Sequence, residues 1–182
     1  MKSNSKIFLI IFIFCFCASR LWAADQISDA TDGSRLVLLG KAVKKFLTFR
    51  VVSVDLYIAT NHTADQLFED IPKRIEVLYH VNIPKPELDR ATLKGIEKNV
   101  SAQQLMELMP QIEQMNSYYS DVESGDKIVI TYTPGSGSEV RVKGQIKGVV
   151  RGKDFADAFF AIWVGKNPVD PKAKMQLLGK KS

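Results

Sequence analysis

The two side chains of this chain that titrate near neutral pH are His62 and His80. His80 falls on the more polar face of a predicted strand, whose other face carries Ile75, Val77 and Tyr79. His62 lies in a turn-like Asn-His-Thr segment. The histidines are far apart in the sequence, and neither is accompanied by a cysteine, a Ser–Asp pair or a second ligand. We therefore expect both to face solvent, and the sequence predicts no metal and no cofactor.

The two cysteines, Cys15 and Cys17, lie in an N-terminal segment typical of a secretory signal peptide. Two lysines precede an apolar run over 7–18, and small residues favour cleavage after Ala23. The run is shorter than the roughly 20 residues of a membrane-spanning helix. We predict that residues 1–23 are removed and that the protein is periplasmic or secreted, without a stable membrane span. An uncleaved anchor is the alternative.

Cleavage would leave residues 24–182, the length of one ordinary domain, without cysteine. Disulfides, thiolate catalysis and cysteine-bound zinc are then excluded. The leader contains three of the 25 basic residues and none of the 20 acidic ones, so the formal charge falls from +5 to +2. This balance gives little support for nucleic-acid binding. Gly135-Ser-Gly is not a phosphate loop, because predicted strands flank it in a hairpin.

A helix predicted from Asp154 to Gly165 is the element around which we arrange the chain. Apolar residues recur at i, i+3, i+4, i+7 and i+8 from Phe155 through Phe159 to Trp163. Asp154 occupies the expected N-cap, and Gly165 the expected exit. Further apolar residues on the opposite side indicate that the helix is covered on two sides. Core packing is the simplest role for its aromatic stripe, although the same stripe can also wall a pocket.

Six segments have strand patterns, and helix patterns separate or follow them. The strand segments are 36–39, with Gly40 as an interruption, 46–58, 74–82, 127–133, 139–143 and 145–150. The helix segments are a short one after Thr63, one from 84 to about 99, one capped by Ser101, the helix above and 171–178. This order predicts a single α+β domain with helices packed on an antiparallel sheet.

Glycines at 144, 148 and 152 precede Asp154-Phe155, Ile162-Trp163 and Pro168-Val169-Asp170. Together with 39–57 and 121–126, this segment resembles the chalcone isomerase-like proteins of bacteria. The resemblance implies an open-faced β-sandwich, in which a helical layer covers a large antiparallel sheet above an apolar cavity. Plant enzymes of this fold close a flavonoid ring there with an arginine, a threonine, a tyrosine and an asparagine. Noncatalytic members hold a fatty acid, whose carboxylate the arginine binds.

On this resemblance Lys44 occupies the arginine position, Val52 the threonine position, and Leu88 and Gly95 lie near the tyrosine and asparagine positions. Because the catalytic groups are replaced, the resemblance implies a noncatalytic binder of a fatty acid or a similar apolar anionic small molecule. Arg50, on the strand face of Val52, is a second candidate cation. The alternative for both cations is a solvated surface charge. The predicted ligand-binding residues are Lys44, Arg50, Val52, Tyr57, Leu88, Phe155 and Phe159.

An isomerase or lyase acting on a small conjugated substrate is the second hypothesis. Such an enzyme needs an acid–base group inside the cavity, for which Tyr57 and Tyr79 are the available candidates. A third hypothesis is a protein that uses the fold as a scaffold for an assembly partner, because fold does not fix function. The sequence indicates no particular protein partner.

Overall fold

The computed structural model describes residues 26–28 and 33–180; the predicted signal peptide, residues 1–23, lies outside them. Within these residues, seven strands form one sheet in which each strand pairs antiparallel with its neighbour in the sequence. The strands are β1 Gln26–Ser28, β2 Arg35–Phe46, β3 Phe49–Ala59, β4 Lys73–Tyr79, β5 Lys127–Thr133, β6 Gly137–Val142 and β7 Gln145–Val150.

Four α-helices pack on one face of this sheet. They are α1 Lys85–Glu97, α2 Ala102–Ser117, α3 Lys153–Val164 and α4 Pro171–Leu177, with a short 3₁₀ helix, Ala64–Gln66, before β4. Helix α3 contacts the other three α-helices, as expected for a helix covered on two sides. The predicted fold class, an α+β sheet with a helical layer, is confirmed. None of the helices in the described part of the chain is long and apolar enough to cross a bilayer.

The core lies between sheet and helices because the strands alternate in polarity. On β3, Val52, Val54, Leu56 and Ile58 are buried toward the helices. The opposite, open face carries Tyr57, which is buried in a small separate cluster. The alternation along β3 therefore places core residues on the helix side of the sheet and a separate buried cluster on its open side.

Helix α3 begins at Lys153, and its N-cap residue lies two positions before the predicted N-cap, Asp154. Gly152, at a φ of 101°, precedes the helix, and Asp154 lies in its first turn. A carboxylate there still interacts favourably with the helix dipole. Gly165 ends the helix as predicted, and its N–H donates to the carbonyl of Ala161 at 2.9 Å.

The first strands differ most from the prediction. Strand β2 continues through Gly40 with a bulge, instead of being interrupted there. A Cβ at Gly40 would lie 2.3 Å from the carbonyl oxygen of Gln176, so glycine is required where the end of α4 packs on the strand. The segment 46–58 is also not one strand, because a two-residue turn at Leu47 and Thr48 separates β2 from β3. That turn has no glycine, proline or asparagine to signal it.

Candidate functional site

A cavity of about 340 Å³ lies between the sheet and helices α1 and α3. Its floor is formed by side chains from β2 to β5, and its roof by residues of α1 and α3. The floor includes Lys44, Val52, Val77, Tyr79, Ile128 and Ile130, and the roof Leu88, Thr92, Phe159, Ile162 and Trp163. Most of these side chains are apolar, so the cavity suits an apolar guest.

Strand register brings the polar floor residues to one end of the cavity. Lys44 on β2 lies directly opposite Val52 on β3, and Val52 lies opposite Tyr79 on β4. The next row toward the middle of the sheet contains Val77 and Ile128, which are opposite one another. The floor is therefore polar at one end and apolar beyond it.

The Lys44 side chain is half-buried at the polar end. Its ammonium group forms no ion pair or hydrogen bond with any described residue. Glu87, the acidic residue of the lining, instead accepts hydrogen bonds from Arg90 Nη1 at 2.9 and 2.8 Å. Within the described chain, Lys44 therefore retains its capacity to bind an anion.

Two phenols and a hydroxyl supply the other polar groups of the cavity. Tyr119 Oη and Thr92 Oγ1 are 3.0 Å apart and share a hydrogen bond. Burial raises the pKa of both Tyr119 and Tyr79 above the ordinary tyrosine value. Both phenols therefore stay protonated at neutral pH and can donate hydrogen bonds, but they are poor general bases. The Tyr79 hydroxyl forms no hydrogen bond with the described residues, so it can donate to a ligand.

Four of the seven predicted ligand-binding residues line this cavity: Lys44, Val52, Leu88 and Phe159. Three do not. Arg50 is exposed, Tyr57 lies on the open face of the sheet, and Phe155 is fully buried beside a different groove. Whether the four lining residues bind a ligand stays a prediction.

The structure adds Thr92, Tyr119 and Trp163 to the cavity lining. Helical spacing alone places Thr92 on the same face of α1 as Leu88, and both are buried. It could not predict Tyr119, which follows the end of α2 and reaches the cavity through the packing of the helices. Gly95, which the resemblance places near the family's asparagine position, packs against α3, where a Cβ would be 2.8 Å from the Ile162 side chain.

Neither histidine takes part in the cavity. His80 Nε2 is 2.7 Å from Ser53 Oγ, a residue of the open sheet face, and His62 Nδ1 is 3.3 Å from the carbonyl of Thr60. His80 is half-buried rather than fully exposed, because it pairs with this neighbouring strand.

A second concave region of about 580 Å³ lies between α2 and α3, and its lining is more polar. Its floor includes Asp157, whose Oδ1 accepts a hydrogen bond of 2.8 Å from the fully buried Lys73. Lys73 also donates to the carbonyl of Leu67 at 2.8 Å, and Lys153 donates to Asp157 Oδ2. Burial lowers the pKa of Lys73. Because every one of these groups has partners, we assign this cluster to structure.

Comparison with known proteins identifies the architecture. A family model described as "Chalcone isomerase-like" matches residues 23–179. A solved structure of a fatty-acid binding protein from Arabidopsis thaliana superposes with a TM-score of 0.64 and 16% sequence identity, covering 84% of this chain and 95% of that one. At this identity the match shows a shared fold. No curated protein has a significantly similar sequence.

Proposed function

Because the chain belongs to the chalcone isomerase-like family, we propose that it is a noncatalytic protein that holds a fatty acid, or a similar apolar anionic small molecule, in the cavity below α1 and α3. The observation that carries the proposal is the ammonium group of Lys44, without a partner among the described residues, at the polar end of an otherwise apolar chamber. A fatty acid has the same two parts, a carboxylate and an apolar chain. The name of the Arabidopsis protein of this fold supports the same ligand class.

Cavity volume determines how many carbon atoms of the guest can be enclosed. A methylene group fills about the volume of one water molecule, roughly 30 Å³. The 340 Å³ cavity therefore accommodates about eleven carbon atoms. We expect acids of medium chain length to bind more tightly than shorter ones, because each additional buried methylene contributes about 0.8 kcal/mol.

The polar end of the floor fixes the orientation of the guest in this proposal. The carboxylate binds Lys44 and accepts a hydrogen bond from the protonated hydroxyl of Tyr79, which lies two strands away in the same row. The chain then extends over Val77 and Ile128 toward the middle of the sheet. A lysine binds the carboxylate as a single charge, so the headgroup is selected by charge more than by shape.

Displacement of a fluorescent fatty acid by unlabelled decanoic acid tests the proposal. Lys44→Met keeps most of the side-chain length and removes the charge. It should weaken binding about tenfold or more, since a hydrogen bond to a charged group contributes about 1.5 to 3 kcal/mol. Lys45→Met is the matched control, because Lys45 is exposed and does not line the cavity. Equal affinities of the two variants, or no saturable uptake by the unmodified protein, would contradict the proposal.

An isomerase acting on a small conjugated substrate is the second candidate, and the position of Tyr79 in the cavity favours it. Tyr57 no longer supports this candidate, because it lies on the other face of the sheet. The raised pKa of Tyr79 limits its phenol to polarising a carbonyl or protonating an intermediate. If a substrate is found, Tyr79→Phe should abolish turnover. We expect no cyclisation of chalcone, because the family resemblance puts Val52 at the position of the catalytic threonine and Leu88 near that of the tyrosine.

We also propose that the protein is exported and cleaved after Ala23. The support is the charged, apolar and small-residue order of residues 1–23. Intact-mass measurement on protein recovered from the periplasm or the medium should give a chain that begins at Ala24. A full-length chain retained in a membrane fraction would support the uncleaved anchor instead.

A further inference from the structure

Residues 43–50, which are the turn between β2 and β3 and the strand ends beside it, form a hairpin tip that exposes large apolar side chains. Leu47 is 82% exposed and Phe49 is 70% exposed, and Val43 is also exposed. Single exposed apolar residues are common on protein surfaces, but here three lie within seven positions of one hairpin.

The backbone of the tip is also unusual for such residues. Leu47 adopts a φ of 54°, in the left-handed region where glycine or asparagine is favoured. A glycine would relieve the strain and remove the exposed apolar surface at the same position. The leucine therefore conflicts with both local conformation and solvation, which is the kind of conflict that marks functional sites.

Positive charges surround the apolar side chains. Lys44, Lys45 and Arg50 lie in or beside the turn, and no acidic residue occurs between positions 41 and 50. Lys45 and Arg50 are opposite one another in the strand register, and both are exposed. Among the described residues, none of these three cations forms an ion pair. Lys41, by contrast, forms an ion pair with Asp55 at 3.0 Å, so its charge is already neutralised.

The tip is continuous with the rim of the cavity. Lys44 within the tip and Val51 next to it both line the cavity and are half-buried. Glu87 and Ala91 of α1 are exposed members of the same lining, so the opening lies between the turn end of the hairpin and the first turns of α1.

We propose that the hairpin tip docks the protein on an anionic lipid bilayer. Leu47 and Phe49 enter the boundary between headgroups and acyl chains, while Lys45 and Arg50 contact lipid phosphates. When the protein is docked in this way, its cavity opening faces the bilayer, and an amphiphile can pass between the lipid and the cavity. That transfer rests on the proposed function, whereas the docking does not.

A bilayer fits the tip better than a second copy of the chain does. In a symmetric dimer through the tip, the same patch meets itself, which brings the cations of both copies together. No acidic residue of the tip is present to compensate that repulsion. An anionic bilayer satisfies the apolar and the positive parts of the surface at the same time.

Flotation with vesicles tests the docking. The mature protein, residues 24–182, should bind vesicles of phosphatidylcholine mixed with phosphatidylglycerol and should bind phosphatidylcholine alone much less. Leu47→Ser and Phe49→Ser should each lower the partition coefficient about tenfold. Lys45→Gln combined with Arg50→Gln should lower it about 25-fold on the anionic vesicles, and this part should disappear at high salt.

Control variants change exposed residues elsewhere. Met106→Ser removes a side chain that is 69% exposed on α2, and Arg151→Gln removes an exposed cation at the opposite end of the sheet. Both should leave the partition coefficient unchanged. In addition, a Leu47→Trp variant should shift its emission to shorter wavelength on anionic vesicles.

Three outcomes would overturn the proposal. One is that the unmodified protein fails to bind anionic vesicles. Another is that the tip variants and the control variants bind equally. The third is that sedimentation shows a dimer that Phe49→Ser dissociates, without any vesicle binding. Fatty-acid uptake measured in the absence of vesicles is a separate readout, so failure of docking and failure of the proposed function are distinguished.

Discussion

Val77→Phe is the substitution that tests most sharply whether the cavity is an available volume. Val77 lies on the cavity floor one row beyond the polar end, so a larger side chain there blocks the path of an apolar chain. Phenylalanine has four more carbon atoms than valine, which at roughly 30 Å³ each take up about a third of the cavity. The longest chain that fits should shorten by about four carbons.

The expected loss of affinity depends on the chain length of the ligand. Four methylenes that no longer find room correspond to about 3 kcal/mol, or roughly a 200-fold weaker binding of decanoic acid. Hexanoic acid should bind about as before, because its chain ends before the obstruction. Displacement titrations with acids of increasing length measure this difference. An equal loss for short and long acids would refute the assignment of Val77 to the row beyond the headgroup.

The same substitution in solid core is the matched control. Val140 is fully buried and does not line the cavity. Val140→Phe must overpack the core and should cost about 1 to 3 kcal/mol, which lowers the Tm by several degrees. Val77→Phe enters empty volume and should change the Tm little. If both variants lost the same stability, the cavity would not be a real void.

Three further predictions concern stability. Asp157→Ala leaves the buried ammonium of Lys73 without its carboxylate and should cost about 3 kcal/mol in urea unfolding. Gly95→Ala places a Cβ 2.8 Å from Ile162 and should destabilise by about 1 to 3 kcal/mol through α1–α3 overpacking. Burial raises the pKa of Tyr119, so on raising the pH the phenol loses its proton in the unfolded chain before it does so in the folded one. The free energy of unfolding should therefore fall as pH rises above about 10. Tyr119→Phe should reduce the steepness of this fall by about 1.4 kcal/mol per pH unit.

These three predictions have distinct contradicting results. Asp154→Asn is the control for Asp157→Ala, because Asp154 is exposed in the first turn of the same helix. Similar small losses in both variants would show that the Lys73 cluster contributes little. A neutral Gly95→Ala would show that α1 can move away from α3. A pH slope that is the same with and without the Tyr119 hydroxyl would contradict its burial.

Periodicity in the sequence predicted the elements that pack by themselves against the core. The apolar stripe of α3 and the alternation of β4 each follow from one face being buried, and both are in the structure. The capping signals at Thr63 and Ser101 also mark real helix starts. Local chemistry determines these features, so local sequence is sufficient to find them.

Features that depend on distant contacts could not be found in this way. A glycine in a strand pattern usually indicates an interruption. At Gly40, strand β2 continues, and glycine is required there because carbonyl groups of α4 lie where a Cβ would be. Lys73 is fully buried because the carbonyl of Leu67 and the carboxylate of Asp157 both reach it. A lysine at the start of a strand carries no sequence signal for such partners.

In the candidate site, too, some residues could be predicted from the sequence and others depend on distant contacts. Resemblance to a family placed Lys44, Val52 and Leu88, which line one cavity. The predicted set contains Tyr57, although strand alternation alone puts that residue on the face opposite Val52, and the structure agrees with the alternation. Tyr119 reaches the cavity only through the packing of α2 against its neighbours.

Mass spectrometry of the protein as purified from its natural compartment tests the central claim most directly. The native mass should exceed the denatured mass by that of one amphiphile with an acidic headgroup and a chain of about eleven carbons, and Lys44→Met should lower its occupancy. A protein that is empty in the native spectrum, and that stays empty after incubation with decanoic acid, would contradict the claim that this cavity holds an apolar anion.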